Sequence, residues 1–281
     1  VLSPDADHAK GIRQVIVNAD DFGLHPAVNQ AVEMAHRDGI LTSASLMVAA
    51  PAAADAVALA KRLPSLAVGL HIVLVDGKAM LPAEKIPALV DRSGRFTGAM
   101  AVEGVRFFLL PRVRRQLIAE IEAQFEAFAA TGLPLDHVNA HKHFHLHPTL
   151  FSMILDTGKR FGLKSMRLPR DPVMGLGLKP WMALMRKRMD RAGVFHNDAM
   201  LGLSQSGHFD EPAVLDAIAS MPEGVTEMYF HPATLSGSAI APSMPDYRHS
   251  AELQALLSPR VRQALEQKHA VRTTFGALAA A

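Results

Sequence analysis

The residue types from which a hydrolytic site can be built recur in this chain directly after apolar runs of strand length. Asp20 and Asp21 follow Val15-Ile16-Val17-Asn18-Ala19. Adjacent side chains at a strand end point different ways, so one carboxylate can ligate a metal while the other faces substrate or water. The same pair would also serve as an Asx turn or a helix cap. His71 stands near the end of a second such run, where a lone histidine is ordinarily a hydrogen-bonded core residue. It gains chemical meaning only beside other ligands. Those come from Asn139-Ala140-His141-Lys142-His143-Phe144-His145-Leu146-His147-Pro148, in which histidines recur at period two behind an apolar strand. If extended they would share one face; if turning they would fan around the strand's mouth. Neutral imidazoles suit a divalent ion, and an Asp with two His and open positions is a common hydrolytic arrangement. The alternative is a surface cluster that takes up metal adventitiously. Arg167 could pair with a carboxylate or form an ordinary surface salt bridge. His231, after Tyr229-Phe230, could be a general acid or a structural histidine.

Composition narrows the chemistry. There is no cysteine in the 281 residues, so disulfides, thiolate metal sites and cysteine nucleophiles are excluded, and a metal must be held by His and carboxylate. A hydrophobic fraction of 49% supports a large core, and a net charge of +2, with no basic run interleaved with aromatics, gives no case for nucleic acid. No apolar stretch has the length of a membrane span and no leader pattern precedes the first strand. The chain starts at Val1-Leu2, which reads as a trimmed N-terminus, and a cytoplasmic location is expected.

The elements that would position these residues alternate. Strands are expected over 15–19, 43–48, 66–73, 135–140, 164–168 and 225–230. Helices are expected over 26–37, 52–63, 112–130 and 149–161. Pro26 suits a first helical turn and Gly39 a C-terminal cap. Val113, Leu117, Ile118, Ile121, Phe125 and Phe128 form the stripe of the third helix. Repeated strand–helix alternation over this length favours an α/β fold of the distorted (β/α) barrel type, with a doubly wound open sheet as the rival. One domain over residues 1–281 is expected, interrupted by a helical insert at about 171–203. The insert carries Met174, Trp181, Met182, Met185, Met189 and Met200 together with Lys179, Arg186, Lys187, Arg188 and Arg191.

With these residues in view, the sequence resembles the YdjC-like carbohydrate deacetylases. The resemblance rests on Asn18-Ala19-Asp20-Asp21-Phe22-Gly23, Gly39-Ile40-Leu41-Thr42-Ser43, Gly69-Leu70-His71, the run from His141 to Pro148, Arg167-Leu168-Pro169 and His231-Pro232. It extends to Arg248, Glu252-Leu253 and Leu256-Leu257. It looks closest to the branch associated with hopanoid biosynthesis. The resemblance implies a TIM-type barrel of the glycoside hydrolase/deacetylase kind. It also implies a divalent metal, Zn²⁺ or Mg²⁺, on Asp21, His71 and His141, with Asp20 as catalytic base and His231 as acid. Arg167 would hold Asp20 ionised, and His143 and His145 would bind sugar hydroxyls or support the ligands. The chain departs from the family pattern at Asn139-Ala140, often Asp-Ser, and at His147, often not His.

The expected reaction is removal of the acetyl group from an N-acetylated amino sugar, with an N-acetylglucosaminyl hopanoid as the implied substrate. The rivals are a chitooligosaccharide deacetylase, a glycosidase and a non-catalytic glycolipid binder. Within the insert, Trp181 and Met185 are read as lipid-contacting residues of a lid, since Met adapts to irregular apolar ligands and nearby basic residues favour anionic headgroups. The rival is a helix packed on the barrel with its basic side in water. The reading leaves room for peripheral contact with the inner membrane surface and for a homodimer.

Overall fold

The computed structural model describes residues 11–171, 176–234 and 240–281. The Val1-Leu2 start and Met174 of the expected insert lie outside them. The chain opens with β1 (Arg13–Phe22), α1 (Pro26–Arg37), β2 (Ser43–Leu46), α2 (Ala53–Arg62) and β3 (Ala67–Ile72). It continues through α3 (Met100–Leu109), α4 (Pro111–Ala130), β4 (Val138–Ala140), a tight turn over His141–Leu146 and α5 (Pro148–Arg160). After these come α6 (Lys179–Arg191), β5 (Ala199–Leu201), α7 (Glu211–Ala219) and β6 (Gly224–Phe230). The chain closes with α8 (His249–Leu257), α9 (Pro259–Gln267), β7 (Ala270–Thr273) and α10 (Phe275–Ala279).

The strands form one sheet in the order β4-β3-β2-β1-β6-β5, with every strand pairing parallel, and β7 pairs with the start of β1 while β2 pairs with its end. The sheet curls, and its edges are joined irregularly. Val138 bridges to Met166, Ser165 bridges to Phe195, and the Met200 N–H donates to the Arg170 carbonyl. The architecture is therefore a distorted parallel α/β barrel. The strand expected over 164–168 is reduced to those single bridges.

The sequence pattern explains the main elements. β1 is buried over its last eight residues because parallel strands are covered on both faces. In α1, Ala27, Val28, Ala31, Val32 and Ala35 face the sheet, Pro26 occupies the first turn and the His25 side chain accepts from the Ala27 N–H. Gly39 is required for a close approach rather than for a left-handed cap: a Cβ there would stand 2.4 Å from the Leu256 carbonyl oxygen. The stripe of α4 is buried as expected at Val113, Leu117, Ile121, Phe125 and Phe128, but Ile118 is exposed. Its inner face also buries Glu120 and Gln124. Glu120 accepts the Met80 and Leu81 N–H groups, and Gln124 bonds both backbone groups of Val73, pinning the long excursion after β3. α3, in that excursion, falls where the sequence pattern singles out no element.

The insert at 171–203 is corrected in two respects. Its end supplies β5, a member of the sheet. Its helix, α6, turns Met182, Met185 and Met189 into the main core at helical spacing while Arg186, Lys187 and Arg191 face water. Met185 is 0% exposed, so it packs rather than presenting a ligand surface. Trp181 is half-buried, stands edge-on to Phe151 and donates its indole N–H to the Leu146 carbonyl at 2.8 Å, which braces the histidine turn. Met185→Ser should therefore lower unfolding free energy by about 2–5 kcal/mol in urea titration, whereas Leu184→Ser, on the exposed side, should change it by less than about 0.5 kcal/mol. Equal small effects would restore the lid.

Candidate active site

Every expected polar residue except His147 converges on the C-terminal end of the sheet, where barrel sites are built. The register between β1 and β2 slips between Ala19 and Phe22, and Asp21 takes φ of 63°. This bulge, with its left-handed residue, lets consecutive carboxylates serve different neighbours. Asp20 turns to Arg167, and Asp21 turns to His71 and His141.

Arg167 is fully buried and joins two carboxylates. Its Nη1 and Nη2 donate to Asp20 Oδ2 and Oδ1 at 2.6 and 2.9 Å, and its Nε and Nη2 donate to Glu227, with Nη2 to Oε1 at 2.6 Å. Its guanidinium also stands 5.1 Å from the centre of the Tyr229 ring. The surface salt-bridge alternative is thus removed. Burial would raise the Asp20 pKa, but the Arg167 charge overrides it and holds the carboxyl ionised, well below the usual carboxylate range. Glu227, in β6, is a functional residue that sequence reasoning missed. The available signal was a charge inside an otherwise apolar strand, which burial tolerates only with a partner.

A directional chain of hydrogen bonds runs from beneath the sheet to the same point. The Ser45 Oγ accepts from the side-chain amides of Asn18 and Asn139, both at 2.9 Å. Its two lone pairs are then occupied, so its proton goes to His137 Nε2, also at 2.9 Å. His137 Nδ1 in turn donates to Asp136 at 2.8 Å. The remaining amide hydrogens of Asn18 and Asn139 go to Asp20 Oδ1 at 2.8 and 3.0 Å. The Asn139 oxygen must therefore accept from His71 Nδ1, at 2.6 Å. This fixes Nδ1 of His71 as a donor and leaves Nε2 as the ring atom turned toward Asp21. Gly69 makes room for the chain, since a Cβ there would lie 2.5 Å from the His137 ring.

His71 Nε2 lies 3.2 Å from Asp21 Oδ1, with no hydrogen-bond partner, and Asp21 Oδ2 is a second buried orphan. A proton or a metal ion between these atoms would satisfy both. His141 Nδ1 is 3.1 Å from the same Asp21 oxygen, and the ligating atoms of Asp21, His71 and His141 all lie within 4.8 Å of one another. These residues fit a divalent ion.

The turn after β4 fans the histidines rather than aligning them. Lys142 and His143 take φ of 52° and 53°. His141 joins Asp21, while His143 packs edge-on against Tyr229, 5.0 Å between ring centres. Burial and the nearby Arg167 charge hold His143 and His145 uncharged, His145 at about 3. His147 points away, packing against Phe107 and Phe144. His231 is pinned at both backbone groups, its N–H by Glu252 and its carbonyl by His249 Nδ1. Burial lowers its pKa to about 4 despite Asp21 and Asp20 nearby. The same burial raises Glu252 to about 7. Beside His141 opens a cleft of about 530 Å³, apolar at Leu24, Met47, Ile240 and Met244 and polar at His25, Asp55, Asp76 and Arg95.

The fold and this arrangement define a class: a distorted parallel barrel that carries a buried Asp–His–His group and an arginine-tethered carboxylate at its strand ends. Residues 14–267 match the family model described as YdjC-like protein, and the chain belongs to that family. It is 30% identical to a carbohydrate deacetylase of Brevibacillus brevis over 94% of this chain and 99% of that protein. It is 31% identical to one of Vibrio vulnificus over 93% and 94%. A solved Enterococcus faecalis structure, described as a cellobiose-phosphate cleavage protein, superposes with a TM-score of 0.78 at 26% identity, covering 95% of this chain and 99% of that one.

Two outcomes follow from the geometry. Burial opposes protonation of His141, but the Asp21 charge and hydrogen bonds to Asp21 and Asp76 raise its pKa to about 9. A divalent ion must displace that proton. Calorimetric Zn²⁺ affinity should therefore rise about tenfold per pH unit up to roughly pH 9 and level off above it. A flat profile from pH 6 to 9 would remove His141 from the ligand set. Ser45→Ala deletes the hub that orients Asn139, and should weaken Zn²⁺ binding by about 10–100-fold with the fold retained by circular dichroism.

Proposed function

We propose that this protein is a metal-dependent carbohydrate N-deacetylase, with one deacetylase domain spanning the chain. The observation that carries the reading is the tethered, ionised Asp20 immediately beside the Asp21–His71–His141 group. The deacetylase names of relatives aligned over nearly the whole chain support the substrate class. Two imidazoles and one carboxylate favour Zn²⁺ over Mg²⁺, which prefers an oxygen shell. A divalent ion held there would supply Lewis acidity toward the amide carbonyl and acidify the attacking water.

The chain's own residues handle the protons. Among the described residues Asp20 Oδ2 accepts from Arg167 Nη1 alone, which leaves a lone pair to receive a proton from the attacking water. Held so far below its usual range, Asp20 does not keep that proton. His231, unprotonated at rest with its Nδ1 unpartnered, takes it up and delivers it to the departing amine. His143 and His145, with unpartnered ring nitrogens beside Arg167, are placed to hold sugar hydroxyls. Trp181 and Met185 are not part of this reading.

For the finer substrate we infer an N-acetylglucosaminyl hopanoid, processed on the cytoplasmic side. The motif resemblance and the apolar walls of the cleft beside His141 support it. Acetate release from that glycolipid, measured against diacetylchitobiose, tests the choice, and preference for the chitobiose would transfer the reading to a chitooligosaccharide deacetylase.

Asp20→Asn should reduce turnover by about 10²–10⁴-fold while Zn²⁺ content stays near that of the parent protein. Loss of the metal with the activity would exchange the roles of the two aspartates. Activity unaffected by thorough chelation would overturn the metal-dependent reading and favour a glycosidase.

A further inference from the structure

α3 is built inside out. Glu103, its one acid, is buried and receives both hydrogen bonds of Arg106 Nη1, at 2.7 and 2.9 Å. The outward face carries Val102, Val105, Phe108 and Leu109, with Phe108 and Leu109 60% and 61% exposed, and Leu110 and Ile118 continue the patch onto α4. Soluble surfaces rarely leave so many large apolar side chains together. Just beyond them stand Arg112, Arg114 and Arg115, all exposed, and none of them has an ion-pair partner among the described residues. Phe108 and Ile118 also wall a groove of about 550 Å³ whose lining includes Arg114.

The patch lies at the mouth end of the barrel. The chain leaves β3 at its C-terminal end, and α4 then carries it back to the start of β4, so α3 and the first turn of α4 sit on the mouth side. The inner side of α3 confirms the placement. Phe107 packs 5.5 Å from Phe144 and 6.4 Å from His147, both on the turn that presents His141.

We propose that this face seats the protein on an anionic lipid bilayer, with the barrel mouth turned toward the membrane. A helix of this length, about 15 Å, cannot span a bilayer, but its apolar face can enter the headgroup–acyl boundary while the arginines meet lipid phosphates. No described helix is long and apolar enough to cross a membrane. Charge disfavours a second copy of this chain as the occupant. Residues 98–118 hold no acid besides the buried Glu103, and Asp156, the one acid lining the groove, already faces Lys159 at 3.6 Å, so a self-contact would oppose arginine rims with little to neutralise them. The proposal goes beyond the deacetylase reading and does not depend on it.

Vesicle co-sedimentation tests it without substrate. The protein should bind phosphatidylglycerol–phosphatidylcholine vesicles and not pure phosphatidylcholine. Replacing Arg112, Arg114 and Arg115 by Gln should weaken binding by about a hundredfold, at about fivefold per arginine. The combined Val105→Ser, Phe108→Ser and Leu109→Ser change should weaken it by at least about tenfold, with thermal melts confirming that both variants fold. Because the chain has no cysteine, a polarity-sensitive dye can be placed at Leu109→Cys or at Val271→Cys, the latter 58% exposed on β7 at the opposite end. Emission should shift to the blue on anionic vesicles only at position 109. No vesicle binding, binding indifferent to both variant sets, or equal shifts at the two labels would overturn the proposal. A dimer in light scattering that Phe108→Ser dissociates, without vesicle binding, would give the face to a second copy instead.

Discussion

A guanidinium withdrawn completely from water has to be neutralised and hydrogen-bonded where it lies, and Arg167 imposes that requirement on the centre of this barrel. It bridges the neighbouring strands β1 and β6, satisfied by Asp20 on one and Glu227 on the other. The pairing keeps Asp20 ionised and fixes the plane of its carboxylate. Asn18 and Asn139 complete the remaining acceptor positions of Oδ1. Without Glu227, the Nε hydrogen of the buried guanidinium and one on Nη2 would be left without an acceptor in the core.

From that clamp the order of the hydrogen bonds spreads outward. Ser45 can accept only twice, and both places are taken by the same amides that hold Asp20, so the orientation of Asn139 leaves no freedom at His71. The donor role of His71 Nδ1 is thereby decided through Ser45 and His137 by Asp136. A neutral Asn at 139, where the resembled family often has Asp, suits this place because it must donate toward one carboxylate and accept from an imidazole at once. The left-handed backbone at Asp21, Lys142 and His143 is the conformational cost of bringing those groups to one point.

The two Met- and Phe-rich helices show how composition misleads when the direction of a face is unknown. α6 has the mixture of basic and apolar residues that suggests a membrane or lipid contact, yet its methionines fall at one helical spacing and enter the core. α3 attracts no notice as a sequence, because its Glu and Arg look like the polar side of an ordinary surface helix. In the structure they turn inward and pair, and the apolar side faces out.

The sequence alone determined the parallel strand–helix alternation, since apolar runs and 3.6-residue stripes are local properties. It also singled out the Asp pair, His71, the histidine run, Arg167 and His231, because each follows a strand and barrel sites lie at strand ends. It did not determine which partners those residues take. Glu227 reads as one polar residue in a strand, and Ser45, His137 and Asp136 carry no motif; they matter only through neighbours distant along the chain. The fanning of the histidines depended on two left-handed residues that no periodicity signals. The facing of α3 and α6 depended on which side of each helix met the barrel. Those are decisions of tertiary packing, where burial, charge balance and hydrogen-bond direction are settled between elements rather than within them.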